Sequence, residues 1–352
     1  SAVGCSGRQH PLTFHEYLGE RARLSRIPNE PTEASNVMVN GKQVKIFSGL
    51  ANPALVHSIC NYLQVPEGKI THSQFADGEL YCRIDESVRG CDTFIIQPTC
   101  PPVTENLMRL LITIDALRRA SAGSVTAVVP YFGYSRQEKK STGREPITAK
   151  LVANIICTSG AGRIVSVDMH DPALQGFFDI PVDHLSAAPL LADYFKTSNL
   201  TNTVIVSPDT GGVHRARQFA NRLGLPLAII DKRRPEANKA VVMNVIGEVK
   251  DRNVIIIDDI IDTAGTLVRV AEALAEKGVK KITACCTHAL LSDPAAERIS
   301  KSAVTEIITT DSIPINEEKR QACRVHTISL SKLVGEAIQR IYDKRSVSEL
   351  FL

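Results

Sequence analysis

Short apolar runs along the chain alternate with longer stretches in which apolar residues recur every three or four positions. The short runs predict buried strands, and the periodic stretches predict amphipathic helices. The predicted strands are 44–47, 70–75, 94–96, 125–129, 163–167, 203–206, 227–230, 254–257, 282–286 and 306–309. The predicted helices are 53–63, 104–120, 150–159, 213–223 and one that begins at Leu267. This alternation favours parallel sheets with helices on both faces, an α/β fold.

The α/β rhythm runs from Val44 to about residue 186 and then starts again. A length of 352 residues is also typical of two domains. We therefore expect an N-terminal α/β domain over 44–186 and a C-terminal one over 187–352. Residues 1–43 contain several prolines and arginines without sustained periodicity, which is typical of a flexible N-terminal extension.

Composition narrows the class of protein. The chain is 43% apolar and 22% charged, as in ordinary soluble globular proteins. A net charge of +3 is too small to argue for nucleic acid as a partner. Because no apolar run approaches the ~18 residues of a membrane span, we expect no membrane partner. Nine cysteines without C-x-x-C spacing are typical of small buried side chains in a reducing compartment, with redox regulation as the less favoured alternative.

The most informative stretch is Val254-Ile-Ile-Ile-Asp-Asp-Ile-Ile-Asp-Thr-Ala-Gly-Thr266. Its loop follows a predicted buried strand and precedes a helix, at the strand end where open α/β sheets bind ligands. Small residues and a helix N-terminus favour a phosphate. A phosphate would repel Asp258 and Asp259, so sugar hydroxyls or a metal suit them better. The stretch therefore predicts a ribose 5-phosphate site, against the alternative of a buried strand with solvated acids at its tip.

Two further stretches suggest contacts with a nucleotide. Phe75-Ala-Asp-Gly-Glu79 offers an aromatic ring for a base and carboxylates for its amines or ribose, although alone it favours a plain turn. The loop 131–144 contains Arg136, Lys139, Lys140 and Arg144 and few apolar residues. Such a loop is expected to be mobile when empty and to close over a polyanion, the alternative being a solvated basic loop.

Three stretches offer metal ligands or fixed cations. His170 and Asp171 follow a predicted strand, and near a polyphosphate they suggest Mg²⁺, bound either directly or through water. Asp209, in Ser207-Pro-Asp-Thr-Gly-Gly212, forms a second candidate anion or metal site. Lys232 and Arg234 occupy alternate positions of an extended segment and so are expected to point the same way.

Together these stretches resemble the ribose-phosphate pyrophosphokinases, also called phosphoribosyl pyrophosphate synthetases, of the phosphate-activated plant and bacterial type. The resemblance covers roughly residues 44–352 and includes G-F-F-D-I-P-V-D at 176–183 and S-V-S-x-L-F at 346–351. It implies two phosphoribosyltransferase-type domains, each a mostly parallel sheet flanked by helices. It also implies a homohexamer built from dimers, with active sites completed across subunit interfaces. The last segment is expected to pack back on the N-terminal domain.

The resemblance also implies roles for individual residues, each of which is an expectation here. The catalytic residues are expected to be Lys232 and Arg234. The ATP-binding residues are expected to be Phe75, Asp77 and Glu79 of a neighbouring subunit, together with Arg136, Gln137, Lys139 and His170. The residues expected to bind ribose 5-phosphate are Asp258, Asp259, Asp262, Thr263, Ala264, Gly265 and Thr266. The expected metal ligands are His170 and Asp209. A regulatory anion site would use Ser87, Arg89, Arg144, Asp183, Ser346 and Ser348, with ordinary surface polarity as an equally open alternative. Ser141 stands where many relatives carry an acid after the paired lysines.

The implied reaction transfers pyrophosphate from ATP to the C1 hydroxyl of ribose 5-phosphate, with Mg²⁺ as cofactor and inorganic phosphate as activator. One alternative is a phosphoribosyltransferase, which would need neither an ATP site nor the basic loop. A second is a catalytically silent regulatory subunit, in which the basic loop or the Lys232 and Arg234 pair should be lost, whereas both are present. The chloroplast stroma and the cytoplasm are both compatible with the sequence.

Overall fold

Two mostly parallel sheets carry the fold. The computed structural model describes residues 38–39, 42–233 and 242–351, and within it 37–352 form one compact unit. The first sheet contains β1 (Met38–Val39), β2 (Lys42–Ser48), β5 (Asp92–Ile96), β6 (Ser124–Val129), β7 (Arg163–Val167) and β8 (Val182–Leu185), in that spatial order. Only β1 runs antiparallel to its neighbour. A separate antiparallel hairpin is formed by β3 (Ile70–Gln74) and β4 (Leu80–Ile84).

Helices connect the strands of the first sheet. They are α1 (Pro53–Leu63), α2 (Val103–Arg119) and α3 (Thr148–Ser159), with a 3₁₀ turn at Pro172–Phe177. Helix α1 begins with a proline at its first position, after Asn52, whose side chain accepts a hydrogen bond from the Leu55 amide. Both features are common helix-start signals, and they explain why the predicted and observed bounds of α1 coincide.

The second sheet has seven strands in the order β11-β10-β9-β12-β13-β14-β15. These are β9 (Thr203–Ser207), β10 (Leu227–Arg233), β11 (Val242–Ile246), β12 (Asn253–Ile261), β13 (Lys281–Ala289), β14 (Val304–Thr310) and β15 (Val325–Ile328). The helices of this half are α4 (Ala188–Lys196), α5 (Val213–Leu223), α6 (Gly265–Glu276), α7 (Ala295–Ser300), α8 (Glu317–Ala322) and α9 (Ser331–Tyr342), followed by a 3₁₀ turn at Ser348–Phe351. Only β11 runs antiparallel to its neighbour, so the expected α/β fold class is confirmed.

The central strand β12 is buried on both faces, as its apolar run predicted. Ile255 and Ile257 belong to a cluster that also contains side chains of the first sheet, such as Ile46 and Val165. The alternate residues Val254 and Ile256 pack into a second cluster on the other face. Burying one such side chain stabilises the fold by roughly 1.5–3 kcal/mol, so both faces contribute. Helix α9 also contacts α1, which joins the end of the described chain to its beginning.

Several predicted strand ends differ from the observed ones, and two of these corrections matter for the site. Strand β12 continues to Ile261 instead of ending at Ile257, because β13 pairs with it as far as Ala289. Strand β10 continues to Arg233 instead of ending at Ile230, because β11 pairs with it antiparallel. The acid pair and Lys232 therefore lie inside strands, where their backbone is held by ladder hydrogen bonds.

The first sheet also begins earlier than the predicted Val44, since β2 starts at Lys42 and pairs with β1. The remainder of the expected extension over 1–43 lies outside the described residues, as does Arg234. The division of the chain at residue 186 stays a prediction. Among the described residues, no helix combines the length and apolarity of a membrane span. Eight of the nine cysteines are described, and all eight are free thiols.

Candidate active site

A pocket of about 260 Å³ opens at the carboxyl end of β12. Its lining includes many residues singled out in the sequence, namely Arg136, His170, Asp209, Asp258, Asp259, Asp262, Thr263, Ala264, Gly265 and Thr266. Arg136 follows β6 and His170 follows β7 of the first sheet, whereas the others follow or end strands of the second. The pocket is therefore built from both sheets.

The acid pair of β12 occupies two different environments. The Asp259 side chain is 4% exposed and the Asp258 side chain 31%. Nη1 of Arg215 lies 3.1 Å from Oδ1 of Asp259 and 3.4 Å from Oδ1 of Asp258. Burial and the adjacent charge of Asp259 raise the pKa of Asp258. Burial alone would raise the pKa of Asp259 too, but the hydrogen bond from His170 and the charge of Arg215 outweigh it and lower that pKa.

His170 completes this cluster from the first sheet. Its Nδ1 lies 2.6 Å from Oδ2 of Asp259, and because a carboxylate only accepts, Nδ1 is the donor. This hydrogen bond raises the pKa of His170 above that of an ordinary imidazole. The ring is 39% exposed and lines the pocket, which leaves Nε2 for a ligand.

The loop after β12 is shaped to receive an anion. Ala264 adopts a left-handed conformation with φ of 58°, and α6 begins at the next residue, Gly265. No side chain caps the N-terminus of α6, so its first amide groups are available to a ligand. Nη1 of Arg298 donates to the Thr263 carbonyl at 2.9 Å and supports the loop from behind. A Cβ at Gly265 would lie 3.4 Å from that same nitrogen, which is an ordinary van der Waals contact.

The basic loop contributes one residue to the pocket. Nη1 of Arg136 donates to Oδ2 of Asp262 at 2.8 Å, which links the basic loop to the loop that follows β12. Gln137 and Lys139 are exposed and lie outside the pocket lining, and Lys139 pairs with its neighbour Glu138 at 3.0 Å.

Asp209 and Lys232 form the other edge of the site. Oδ1 of Asp209 accepts from the Gly212 amide at 2.9 Å, and its Oδ2 lies 3.6 Å from Nζ of Lys232. Lys232 is 27% exposed and contacts Asp209, a residue of the pocket lining. Its predicted companion Arg234 lies outside the described residues.

Other predicted residues lie away from this pocket. Phe75, Asp77 and Glu79 are exposed in the turn of the β3–β4 hairpin, where Gly78 has φ of 96°. Phe75 exposes 56% of its surface and contacts Tyr81 edge to face. The suggested regulatory residues Ser87, Arg89, Arg144, Ser346 and Ser348 are also exposed, while Asp183 pairs with Arg163 at 2.7 Å.

The donor set fits a hydrated Mg²⁺. Within the ranges that the structure describes, no group of three or more His, Cys, Asp or Glu side chains could hold a metal. His170 and Asp209 both line the pocket, however. Mg²⁺ keeps several waters and is commonly held by one or two protein carboxylates together with substrate phosphates. A site with few protein ligands is therefore compatible with this cation.

Sequence reasoning missed Arg215, which balances the charge of the acid pair. It lies in the first turn of α5, a helix without an acid in that turn. A cation near a helix N-terminus opposes the helix dipole, so it needs a nearby anion. The unfavourable position of the Arg215 charge at a helix N-terminus was therefore the signal from which a carboxylate partner could have been inferred.

Comparison with known proteins gives the family. Residues 44–160 match the N-terminal domain of ribose phosphate pyrophosphokinase, and residues 231–352 match the phosphoribosyl synthetase-associated domain. The Bacillus cereus ribose-phosphate pyrophosphokinase is 53% identical over 308 residues, which cover 88% of this chain and 97% of that protein. The chain belongs to the ribose-phosphate pyrophosphokinase family. The resemblance inferred from the motifs is thereby confirmed.

Other members of the ribose-phosphate pyrophosphokinase family give the same result. The Bacillus subtilis (strain 168) enzyme is 52% identical over 310 residues, covering 88% of this chain and 98% of that protein. The crystal structure of phosphoribosylpyrophosphate synthetase from Mycobacterium smegmatis superposes with a TM-score of 0.82 at 42% identity, covering 86% of this chain and all of that one. The similarity thus extends over nearly the whole length of each relative.

Proposed function

We propose that this chain is a ribose-phosphate diphosphokinase. It transfers pyrophosphate from ATP to the C1 hydroxyl of ribose 5-phosphate and yields 5-phosphoribosyl 1-pyrophosphate, for nucleotide biosynthesis, and AMP. The observation that carries the proposal is the single pocket in which the uncapped N-terminus of α6 lies beside the acids of β12. One end of that pocket suits a phosphate, and the other suits the hydroxyls of a sugar.

The sugar phosphate would be held at both ends. Amide groups from Thr263 to Thr266 surround the 5-phosphate, and the dipole of α6 favours its charge. Asp258, the more exposed acid, accepts hydrogen bonds from the ribose hydroxyls, while Asp259 holds His170 and Arg215 in place. The C1 hydroxyl then faces the side of the pocket on which Arg136, His170 and Asp209 lie.

The transfer itself needs charge stabilisation more than covalent chemistry. The C1 oxygen attacks the β-phosphorus in line, the bond from that phosphorus to the α-phosphate oxygen breaks, and AMP leaves. Lys232 and Arg234 would stabilise charge on the moving pyrophosphoryl group, and Arg136, Gln137 and Lys139 would hold the nucleotide. Mg²⁺, bound near Asp209 and His170, would neutralise the phosphate oxygens.

We also propose a homohexamer built from dimers. The hairpin turn with Phe75, Asp77 and Glu79 is exposed and lies outside the chain's own pocket lining, which suits a role at a neighbour's nucleotide site. Light scattering coupled to gel filtration measures the assembly. Phe75→Ala should raise the KM for ATP while leaving that for ribose 5-phosphate near its original value. Residence in the chloroplast stroma or the cytoplasm stays a prediction.

Release of AMP from purified protein, ATP, Mg²⁺ and ribose 5-phosphate tests the proposal. AMP should appear only when the sugar phosphate is present, and EDTA should abolish its release. AMP release independent of the sugar would indicate an ATP hydrolase. No release at all would favour the silent regulatory subunit. The phosphoribosyltransferase alternative is disfavoured, because the chain covers 97% of a pyrophosphokinase relative.

A further inference from the structure

The segment that carries His170 is held by hydrogen bonds to the second sheet as well as by its connection to the first sheet. It leaves β7 at Val167 and turns sharply at Asp168, whose φ of 37° lies in the left-handed region. A non-glycine residue there is strained and persists only where its surroundings hold it. Two residues later, His170 reaches across to Asp259 on β12.

Thr287 of β13 is the side chain that holds this turn most directly. Its Oγ1 donates to Oδ2 of Asp168 at 2.6 Å, and the Ala187 amide donates to the same oxygen at 3.0 Å. Thr287 is 3% exposed, so water does not readily replace it. The neighbouring strands β12 and β13 thus each hold one residue of the short segment, at 170 and 168.

His288 also holds the backbone of the same turn, through hydrogen bonds to two carbonyls. Its Nε2 lies 3.1 Å from the Val167 carbonyl and 3.2 Å from the Asp168 carbonyl, while its Nδ1 lies 2.8 Å from Oγ of Ser312. Carbonyls only accept, so Nε2 carries the hydrogen and Nδ1 accepts from the serine hydroxyl. The turn is therefore fixed by both its side chain and its carbonyls.

From these contacts we infer that Thr287 is a positioning residue for His170. It fixes the strained turn at Asp168 and so sets where the imidazole stands between Asp259 and the nucleotide. The inference rests on the proposed function for the role of His170. It assigns Thr287 no contact with substrate. No motif in the sequence marked Thr287.

A matched pair of substitutions separates positioning from general stability. Thr287→Val keeps the shape and removes the hydroxyl, and Thr287→Ser keeps the hydroxyl. Thr283→Val is the control, because Thr283 lies on the same strand, is 5% exposed and gives its hydroxyl to Glu306 at 3.1 Å, away from the pocket lining. If Thr287→Val fails to fold, Thr287→Cys replaces it, since a thiol is close in size and only a weak donor.

Thr287→Val should lower kcat by roughly 10- to 100-fold, the scale expected when a reacting group is displaced by about 1 Å. The KM for ribose 5-phosphate should stay within about twofold, because the loop 262–266 is untouched. Thr287→Ser should keep most of the kcat of the unsubstituted protein, and Thr283→Val should have the same kcat as the unsubstituted protein. Normal kcat in Thr287→Val, or an equal loss in Thr283→Val, would overturn the inference.

A second readout needs neither substrate nor activity. In the free protein at fixed pH, the Nδ1 proton of His170 should resonate far downfield in NMR spectra, because it is held 2.6 Å from a carboxylate oxygen. Thr287→Val should move or broaden that resonance, and Thr283→Val should leave it in place. An unmoved resonance in Thr287→Val refutes positioning even if the enzyme proves active. If the unsubstituted protein itself shows no activity while Thr287→Val still moves the resonance, the positioning role stands and the proposed reaction is refuted.

Discussion

The imidazole of His170 donates to the carboxylate of Asp259 across 2.6 Å, and this bond joins the first sheet to the strand that carries the acid pair. The same carboxylate faces Arg215 at 3.1 Å. Asp259 is therefore occupied on both of its oxygens by the protein. Asp258 has a more distant contact with Arg215 and a hydrogen bond from the Asp259 amide. The two adjacent acids should respond differently to substitution.

Asp258→Asn should weaken sugar binding with little effect on stability. The change replaces one carboxyl oxygen, an acceptor for the ribose hydroxyls, by an amide nitrogen that can only donate, and a hydrogen bond between neutral groups contributes about 0.5–1.5 kcal/mol, so the KM for ribose 5-phosphate should rise roughly 3- to 10-fold. The KM for ATP should change much less. Asp251→Asn, on an exposed turn between strands, is the matched control in steady-state kinetics. Equal rises in both KM values would contradict the assignment.

Asp259→Asn should lower stability as well as activity. Removing one partner from a buried charged cluster leaves the others uncompensated, typically at a cost of 3–5 kcal/mol, so roughly this loss is expected in the free energy of unfolding. Urea unfolding of this variant beside Asp258→Asn measures the difference. A variant as stable as the parent would show that Arg215 and His170 find other partners.

Lys232→Ala should act on turnover more than on binding. A cation that meets negative charge developing in the transition state appears in kcat, and loss of one such donor typically costs about 10²–10³ in rate. KM values should move only a few-fold. Lys281→Ala is a suitable control, because Lys281 pairs with Glu306 at the other end of the sheet. The same kinetic outcome is expected for Arg234→Ala on sequence grounds, and near-normal kcat in either variant would refute its catalytic role.

Phosphate should activate the enzyme through exposed residues outside the pocket. Titrating inorganic phosphate at fixed substrate should raise the rate and relieve inhibition by ADP, and Arg89→Ala should blunt both effects. Arg83→Ala is the control, since Arg83 is exposed nearby and pairs with Asp85 at 2.6 Å. A flat response of the parent protein to phosphate would remove the regulatory role of Ser87, Arg89, Arg144, Asp183, Ser346 and Ser348.

Glu306 should give the fold a measurable acid sensitivity. Burial opposes ionisation, but hydrogen bonds from Lys281 and Thr283 outweigh it and lower the pKa of Glu306. A lowered pKa contributes stability above the ordinary glutamate pKa, and that stability is lost as the pH falls through the lowered value. As the pH falls below the ordinary glutamate pKa, the parent should therefore lose more of its free energy of unfolding than Glu306→Gln. Parallel unfolding curves for the two proteins would exclude this contribution.

The α/β alternation was readable in the sequence because buried strands and amphipathic helices differ in period. Helices α1 and α5 have the predicted bounds to the residue, since α1 starts after the capping residue Asn52 and α5 ends before Gly224, which is left-handed. Strands β1, β4, β8, β11 and β15 were not predicted, because strands of the hairpin and of the sheet edges are short and lack continuous apolar runs. Helices α4, α7, α8 and α9 were not predicted either, and two of them, α7 and α8, have only six residues each.

Within the site, the motifs identified the residues but not their partners. The pocket brings His170, Asp209 and the loop 262–266 together, as expected for residues at the carboxyl ends of parallel strands. Arg215 and Thr287 lie in ordinary helix and strand patterns, and only the packing of the two sheets brings them to Asp259 and Asp168. Contacts between distant segments leave no periodic trace in the chain.

The extension of β12 to Ile261 separates two tasks that one continuous motif seemed to combine. The acid pair belongs to a strand fixed by its ladder with β13, whereas the anion cradle belongs to the turn that follows. The turn can therefore vary in sequence, or be exchanged for one that receives a different anionic group, while the carboxylates keep their spacing. The part of the site that would recognise the sugar hydroxyls and the part that would recognise the phosphate are therefore structurally independent, and each could be selected or redesigned separately.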